Sequence, residues 1–118
     1  MLAPSNKQYK EESTLLNKVT DWLAPQRRDG IKVIRVVDRY TKGYSDLFIC
    51  ARGYFVVAEL KDDEGIATPH QEDFIRDIIA AGGVGGVCRS VKDVSDLINK
   101  ALEDTICPYC GKYIKKKV

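Results

Sequence analysis

The sequence predicts an α/β domain: a mixed four-stranded sheet flanked by helices, in the order α-β-β-β-α-β with a further helix after it. Three observations predict it. Leu47–Ala51 and Tyr54–Leu60 are apolar, β-branched and aromatic runs joined at Arg52-Gly53, which reads as a tight hairpin. Leu15, Leu16, Val19, Trp22 and Leu23 recur at helical spacing before that hairpin. After it, a helical pattern from Thr68 to Ala81 leads into another short strand. A strand–helix–strand crossover of this kind places its two strands parallel, and the sheet is then mixed.

The chain has 118 residues, enough for one hydrophobic core. It is 44% hydrophobic and 31% charged, as in ordinary soluble domains. The net charge of +2 excludes a bulk electrostatic hold on nucleic acid, so any such hold must come from local clusters. No apolar run approaches the roughly 20 residues of a membrane span, and Met1 to Lys10 lacks the apolar stretch of a signal peptide. The expectation is a cytoplasmic chain with four reduced cysteines unless metal holds them.

Residues 1–8 are polar and read as a flexible tail, and residues 9–103 as the folded domain. The first helix is expected over Tyr9–Ala24, ended by Pro25. Glu12 falls in its first turn, where an acid is favoured by the helix dipole, so a site role does not follow from position alone. Gln26 to Gly30 reads as a polar turn, Ile31–Val37 as a strand carrying Arg35, and Arg39 to Gly43 as a loop with Tyr40 and Lys42.

With a two-residue loop at Arg52-Gly53, Ala51 faces Tyr54 and Asp46 faces Glu59; a three-residue loop would break that pairing. Opposed residues bring their Cβ atoms roughly 4.5–5.5 Å apart. Lys61 shares their face through the strand period of two. Two carboxylates and an ammonium therefore converge at one end of the hairpin. Phe48, Cys50, Phe55 and Val57 line one hairpin face, while Leu47, Ile49, Ala51, Val56, Ala58 and Leu60 line the other. A sheet apolar on both faces is expected to be covered on both. Charges at its rim must then be paired or hold metal.

An acidic loop, Asp62 to Gly65, follows. Pro69 opens the second helix, which buries Phe74, Ile75, Ile78 and Ile79 and stops at Gly82-Gly83. Thr68-x-x-Gln71 is a capping box, which by itself accounts for Gln71. His70, the one histidine, reads as a solvent-facing helix residue or a general base. Val84–Arg89 is a glycine-containing strand. Ser90 caps a third helix with Val91, Val94, Leu97, Ile98, Ala101 and Leu102 on its buried stripe. Cys50 and Cys88 fall in strands and read as core. Residues 104–118 form a separate basic tail, where Cys107-Pro-Tyr-Cys110-Gly has the turn of a zinc knuckle. One pair is half a Zn²⁺ site, which two chains could share; the other reading is an unfilled pair. Lys115-Lys116-Lys117 reads as a solvated end.

Asp46 followed by Glu59-Leu60-Lys61, on this order of elements, resembles the PD-(D/E)xK nuclease superfamily. More closely it resembles the small stand-alone VRR-NUC domains of phages and bacteria. The shared features are Gly43-x-x-Asp46, the hairpin, Glu59-x-Lys61, Gly65, and a helix opening at Gln71 and closing on Ala81-Gly82, over about Glu12 to Leu102. The resemblance implies a restriction-endonuclease-like core and an Mg²⁺- or Mn²⁺-dependent deoxyribonuclease. It implies Asp46, Glu59 and the Leu60 carbonyl as metal ligands and Lys61 as the residue that orients or activates water. Gln71 joins the site, and Glu12 approaches the metal through water. Arg35, Arg39, Lys42 and Arg89 become candidate DNA contacts. Branched, flap or Holliday-junction DNA is the implied substrate, in phage replication, repair or recombination in the host cytoplasm. A homodimer, and an accessory replication or repair protein, are the implied partners. The alternative reading is a non-catalytic nucleic-acid-binding or zinc-linked assembly module on a nuclease scaffold.

Overall fold

The computed structural model describes residues 3–36, 45–103, 105–106 and 113–114. Helix α1 runs Glu12–Leu23 and places Leu15, Val19 and Leu23 on one buried stripe. Pro25 does not end the coil of the chain. It sits in the first turn of a 3-10 helix, Ala24–Asp29, where its missing N–H costs nothing, and the expected polar turn is helical with Gln26 buried. Gly30, at φ 82°, closes that segment.

Strands β1 (Ile31–Arg35), β2 (Leu47–Ala51), β3 (Tyr54–Leu60) and β4 (Val84–Cys88) form one sheet in the order β1-β2-β3-β4. β1 and β2 are antiparallel, as are β2 and β3, while β3 and β4 are parallel, so the sheet is mixed as the crossover requires. Ala51 pairs with Tyr54 and Leu47 with Ala58, which is the two-residue hairpin register. Arg52 (φ 51°) and Gly53 (φ 91°) both take the left-handed conformation of a primed hairpin turn. Arg52 accepts this conformation with its Nε donating to the Asp29 carbonyl at 2.9 Å.

Helix α2 spans Pro69–Ala80 between β3 and β4, and α3 spans Val91–Glu103 after β4. The inward residues of β2 and β3 join Leu15, Val19 and Leu23 of α1 and Val91, Val94, Ile98 and Leu102 of α3 in one core. Each fully buried Leu or Ile there contributes roughly 1.5–3 kcal/mol. α2 covers the opposite face, with Ile75 against Val57 and Gly85, and Phe74 stacked on Phe48 at 5.9 Å.

Among the described residues that second face is only partly covered, contrary to expectation. One 12-residue helix spans the β3–β4 half, so Val57 is fully buried while Phe55 is 42% exposed. Cys50 is exposed and is not a core residue; Cys88 is buried, and its thiol is pushed up by that burial. Ile79, expected in the buried stripe of α2, is exposed.

The segment read as a free tail is docked. The Ser5 carbonyl accepts from Lys92 N–H in the first turn of α3 at 2.9 Å, and the Tyr9 carbonyl accepts from Asp63 N–H at 2.9 Å. Backbone groups make these bonds, and helix α1 starts only at Glu12.

Gly85 shows how tightly α2 sits. A Cβ there would lie 2.6 Å from Val57 Cγ2 and 3.4 Å from Ile75 Cγ2. Both neighbours are buried and cannot withdraw. Gly85→Ala is expected to cost about 1–3 kcal/mol through overpacking, read as a lower urea midpoint at unchanged slope.

Candidate metal centre

The hairpin register carries past the ends of its strands. Val36 N–H donates to the Asp46 carbonyl at 3.0 Å, continuing the β1–β2 ladder, and the same count sets Asp46 across from Glu59. Asp46 Oδ2 accepts from Leu60 N–H at 2.7 Å, which turns its carboxylate toward β3. Glu59 is 1% exposed. Its Oε1 accepts from Gln71 Nε2 at 2.6 Å and lies 3.4 Å from Lys61 Nζ. Glu12, at the start of α1, reaches the same place from the other side of the sheet. Its Oε1 is 3.9 Å from Lys61 Nζ, and its side chain is half exposed. One oxygen each of Glu12, Asp46 and Glu59 lies within 4.8 Å of the others.

Gln71 therefore does two things at once. Thr68 Oγ1 accepts from Gln71 N–H at 3.3 Å, and Gln71 Oε1 accepts from Thr68 N–H at 2.9 Å, so the capping box is complete. The amide nitrogen left over is the one that holds Glu59.

The charges do not balance. Among the described residues, three carboxylates face one ammonium, and Glu59 Oε2 is buried with no hydrogen-bond partner. Burial, and next the charge of Asp46, push the Glu59 carboxyl up from 4.5 to about 7, against the pull of Lys61. A buried acceptor with no donor is costly, and an added cation removes the cost. A cavity of about 120 Å³, lined by Glu12, Ser13, Leu16, Asp46 and Leu60, opens beside the cluster. One water's share of liquid volume is about 30 Å³, so an ion and some of its water fit there. All the donors are hard oxygens, the set that suits Mg²⁺ or Mn²⁺ and not a thiophilic metal.

Other expected site residues fall differently. Arg35 is exposed at the end of β1 and pairs with Leu47, so it stands on the face opposite Phe48. Arg89 is already engaged: its Nη1 donates to the Asp62 carbonyl at 2.6 Å and its backbone N–H to Asp93 Oδ2 at 2.8 Å. It braces the loop that follows Lys61, a contact between a side chain and a distant carbonyl that no sequence spacing announces. His70 is exposed in the first turn of α2. Arg39, Lys42, Cys107 and Cys110 lie outside the described residues. The strands β5 (Thr105–Ile106) and β6 (Tyr113–Ile114) pair antiparallel and bracket the segment that carries the two cysteines.

No family model matches the chain, and no curated protein matches it. Among solved structures, a chain described as "VRR_NUC domain" superposes with a TM-score of 0.60 and 24% identity, over 74% of this chain and 92% of that one. Likeness at that identity is likeness of fold. The chain therefore has the fold of the VRR_NUC domain, the restriction-endonuclease-like α/β core that its sequence predicts.

Proposed function

We propose that this chain is a divalent-metal-dependent deoxyribonuclease. The observation that carries the reading is Glu59: a carboxylate buried to 1% exposure, with one oxygen unpartnered, aimed at two further carboxylates beside a lysine. Such a group destabilises the metal-free fold and makes sense where a cation completes it. Asp46 and Glu59 would hold the ion directly, and exposed Glu12 through a water. The Leu60 carbonyl is a further donor, because an antiparallel residue points its C=O to the side its N–H points, here toward Asp46. Mg²⁺ or Mn²⁺ held there supplies Lewis acidity and charge neutralisation at a phosphodiester.

The chain's own residues do the rest. Gln71 holds the Glu59 carboxylate through its Oε1 and so fixes the group's orientation beside Asp46 and Glu12. Lys61 Nζ, 3.4 Å from Glu59 Oε1 and largely shielded from solvent, orients the attacking water and stabilises charge that develops on the phosphate. Arg39 and Lys42 are the candidates that hold the DNA backbone, since phosphate contacts position without reading sequence, while Arg35 ends β1 on the face away from Asp46 and Glu59. Arg89 acts as a brace and not as a phosphate ligand. The likeness to a VRR_NUC domain supports a nuclease-type domain. The motif resemblance supports branched or flapped DNA as substrate, two copies meeting a two-fold junction, and a role in phage replication or repair in the cytoplasm. No helix among the described residues is long and apolar enough to cross a membrane.

Lys61→Met tests the division of labour. It removes the ammonium that pairs with Glu12 and Glu59, so Mn²⁺ affinity by calorimetry is expected to hold or tighten. Cleavage is expected to fall about 10²–10³-fold, the usual effect of deleting a positioned electrostatic stabiliser. Equal losses in both would show that Lys61 only supports the fold.

A further inference from the structure

The face that carries Asp46 and Glu59 continues down the sheet as an apolar surface. α2 lies over β3 and β4, and the register leaves two rows of the β1–β3 half in view. Ile34 pairs with Phe48, and Lys32 with Cys50 and then Phe55. Ile34 is 52% and Phe55 42% exposed, and Lys32 and Cys50 are exposed beside them. Phe48 is held between Phe74, stacked at 5.9 Å, and Phe55, edge-on at 5.3 Å. Single exposed apolar residues need no explanation, but these are contiguous and rigidly backed. They also begin one row, roughly 7 Å, from the carboxylates.

Charge gives the surface a direction. Lys32 stands on the face itself, and exposed Arg27 and Arg28 lie in the 3-10 helix that leads into the edge strand β1, while Arg35 ends β1 on its other face. Beyond the other side of the site the chain presents Asp63, Glu64 and Glu72, all exposed. A polyanion is drawn to the β1 side and repelled from the α2 side. Aromatic and apolar side chains on an open sheet, with basic residues along one edge, are how sheets bind unstacked bases.

We propose that this face binds an unpaired DNA strand, with bases against Phe55 and Ile34 and backbone against Lys32, and leads its phosphodiester to Asp46 and Glu59. The inference rests on the nuclease reading for what happens at the carboxylates, but not for the binding itself. It names the substrate feature the site selects: a single-stranded arm. Paired bases keep their faces inside the stack and gain nothing here.

The test is fluorescence anisotropy in EDTA with labelled oligothymidylate and a hairpin duplex of equal phosphate number. Wild type is compared with Phe55→Ala and Lys32→Ala, melting curves confirming that both variants fold. Phe55→Ala is expected to weaken single-strand binding roughly tenfold, as loss of a stacking aromatic does. Duplex binding should move less than twofold. A 2-aminopurine in the strand should be quenched by wild type and not by Phe55→Ala. Lys32→Ala should weaken single-strand binding and flatten its salt dependence. Unchanged affinity in Phe55→Ala, or equal loss for both DNAs, overturns the proposal. Tighter binding of oligouridylate than oligothymidylate overturns its assignment to DNA. Self-association that Phe55→Ala abolishes, with DNA affinity intact, gives the face to a second copy and overturns it too. Stacking that survives while wild type cuts nothing with Mg²⁺ or Mn²⁺ upholds this inference and removes the nuclease reading instead.

Discussion

Glu59→Gln is expected to make the metal-free protein more stable, by about 1–3 kcal/mol at pH 8, while removing its response to divalent ions. The wild-type carboxyl titrates near 7 in the folded chain against 4.5 unfolded, because it is buried next to Asp46. Between those values the folded state binds the extra proton, so raising the pH through this window draws stability away from the fold. The loss begins near pH 4.5, is complete just above 7, and amounts to the order of 3 kcal/mol at one pKa unit per 1.36 kcal/mol. Glutamine carries no charge to lose and can keep the bond from Gln71 by turning its amide oxygen to it. Chemical denaturation of both proteins in EDTA, from pH 4.5 to 8.5, reads the difference. Their stability gap should widen with pH and then level off. Adding Mn²⁺ should raise the melting temperature of wild type and leave Glu59→Gln where it was, since only a site that binds the folded state stabilises it. A pH-independent gap, or equal stabilisation of both by Mn²⁺, would mean that Glu59 is an ordinary buried acid.

Asp46→Ala and Glu59→Ala are each expected to reduce DNA cleavage by at least about 10³-fold, within the range that a multi-kcal/mol loss at the reacting centre produces. The two should differ in stability. Asp46→Ala removes the acceptor of Leu60 N–H and leaves that donor at the end of β3 without its 2.7 Å partner, a cost of about 1 kcal/mol or more. Glu59→Ala removes the unpartnered oxygen together with the charge; it leaves the Gln71 amide, which can turn to water, and Lys61, which keeps Glu12 at 3.9 Å. The double variant should be no less active than either single one, because both act through one site. Additive losses would separate them into independent roles.

Much of this was written in the chain. The pairing of Asp46 with Glu59 followed from the two-residue loop and needed no coordinates, since a one-residue slip would have turned Leu47, Ile49 and Ala51 out of the core. Gln71 was ambiguous for a good reason: one side chain both caps α2 and holds Glu59, and a capping box alone accounts for the residue type. What spacing could not reveal were contacts made by backbone. The carbonyls of Ser5 and Tyr9 tie down the N-terminal segment, and the Asp62 carbonyl takes Arg89, and every residue type carries such a carbonyl. Cys50 was misplaced because alternation tells which residues share a face and not how far a neighbouring helix extends over it. α2 is 12 residues long and lies over β3 and β4, meeting β2 through Phe74 on Phe48 and not at Cys50, so the same pattern is core at Val57 and surface at Cys50.

The central claim is that Asp46 and Glu59 hold a divalent metal beside Lys61 and that the chain then cuts DNA, and one assay tests it most directly. Wild type and Glu59→Gln are incubated with end-labelled duplex, flap and four-way-junction DNA in Mg²⁺, Mn²⁺ or EDTA. The expected result is metal-dependent cutting by wild type, absent in EDTA and lost in Glu59→Gln, whose fold is intact by its melting curve. Cutting by Glu59→Gln at the wild-type rate, or no cutting of any substrate by folded, Mn²⁺-bound wild type, would contradict it.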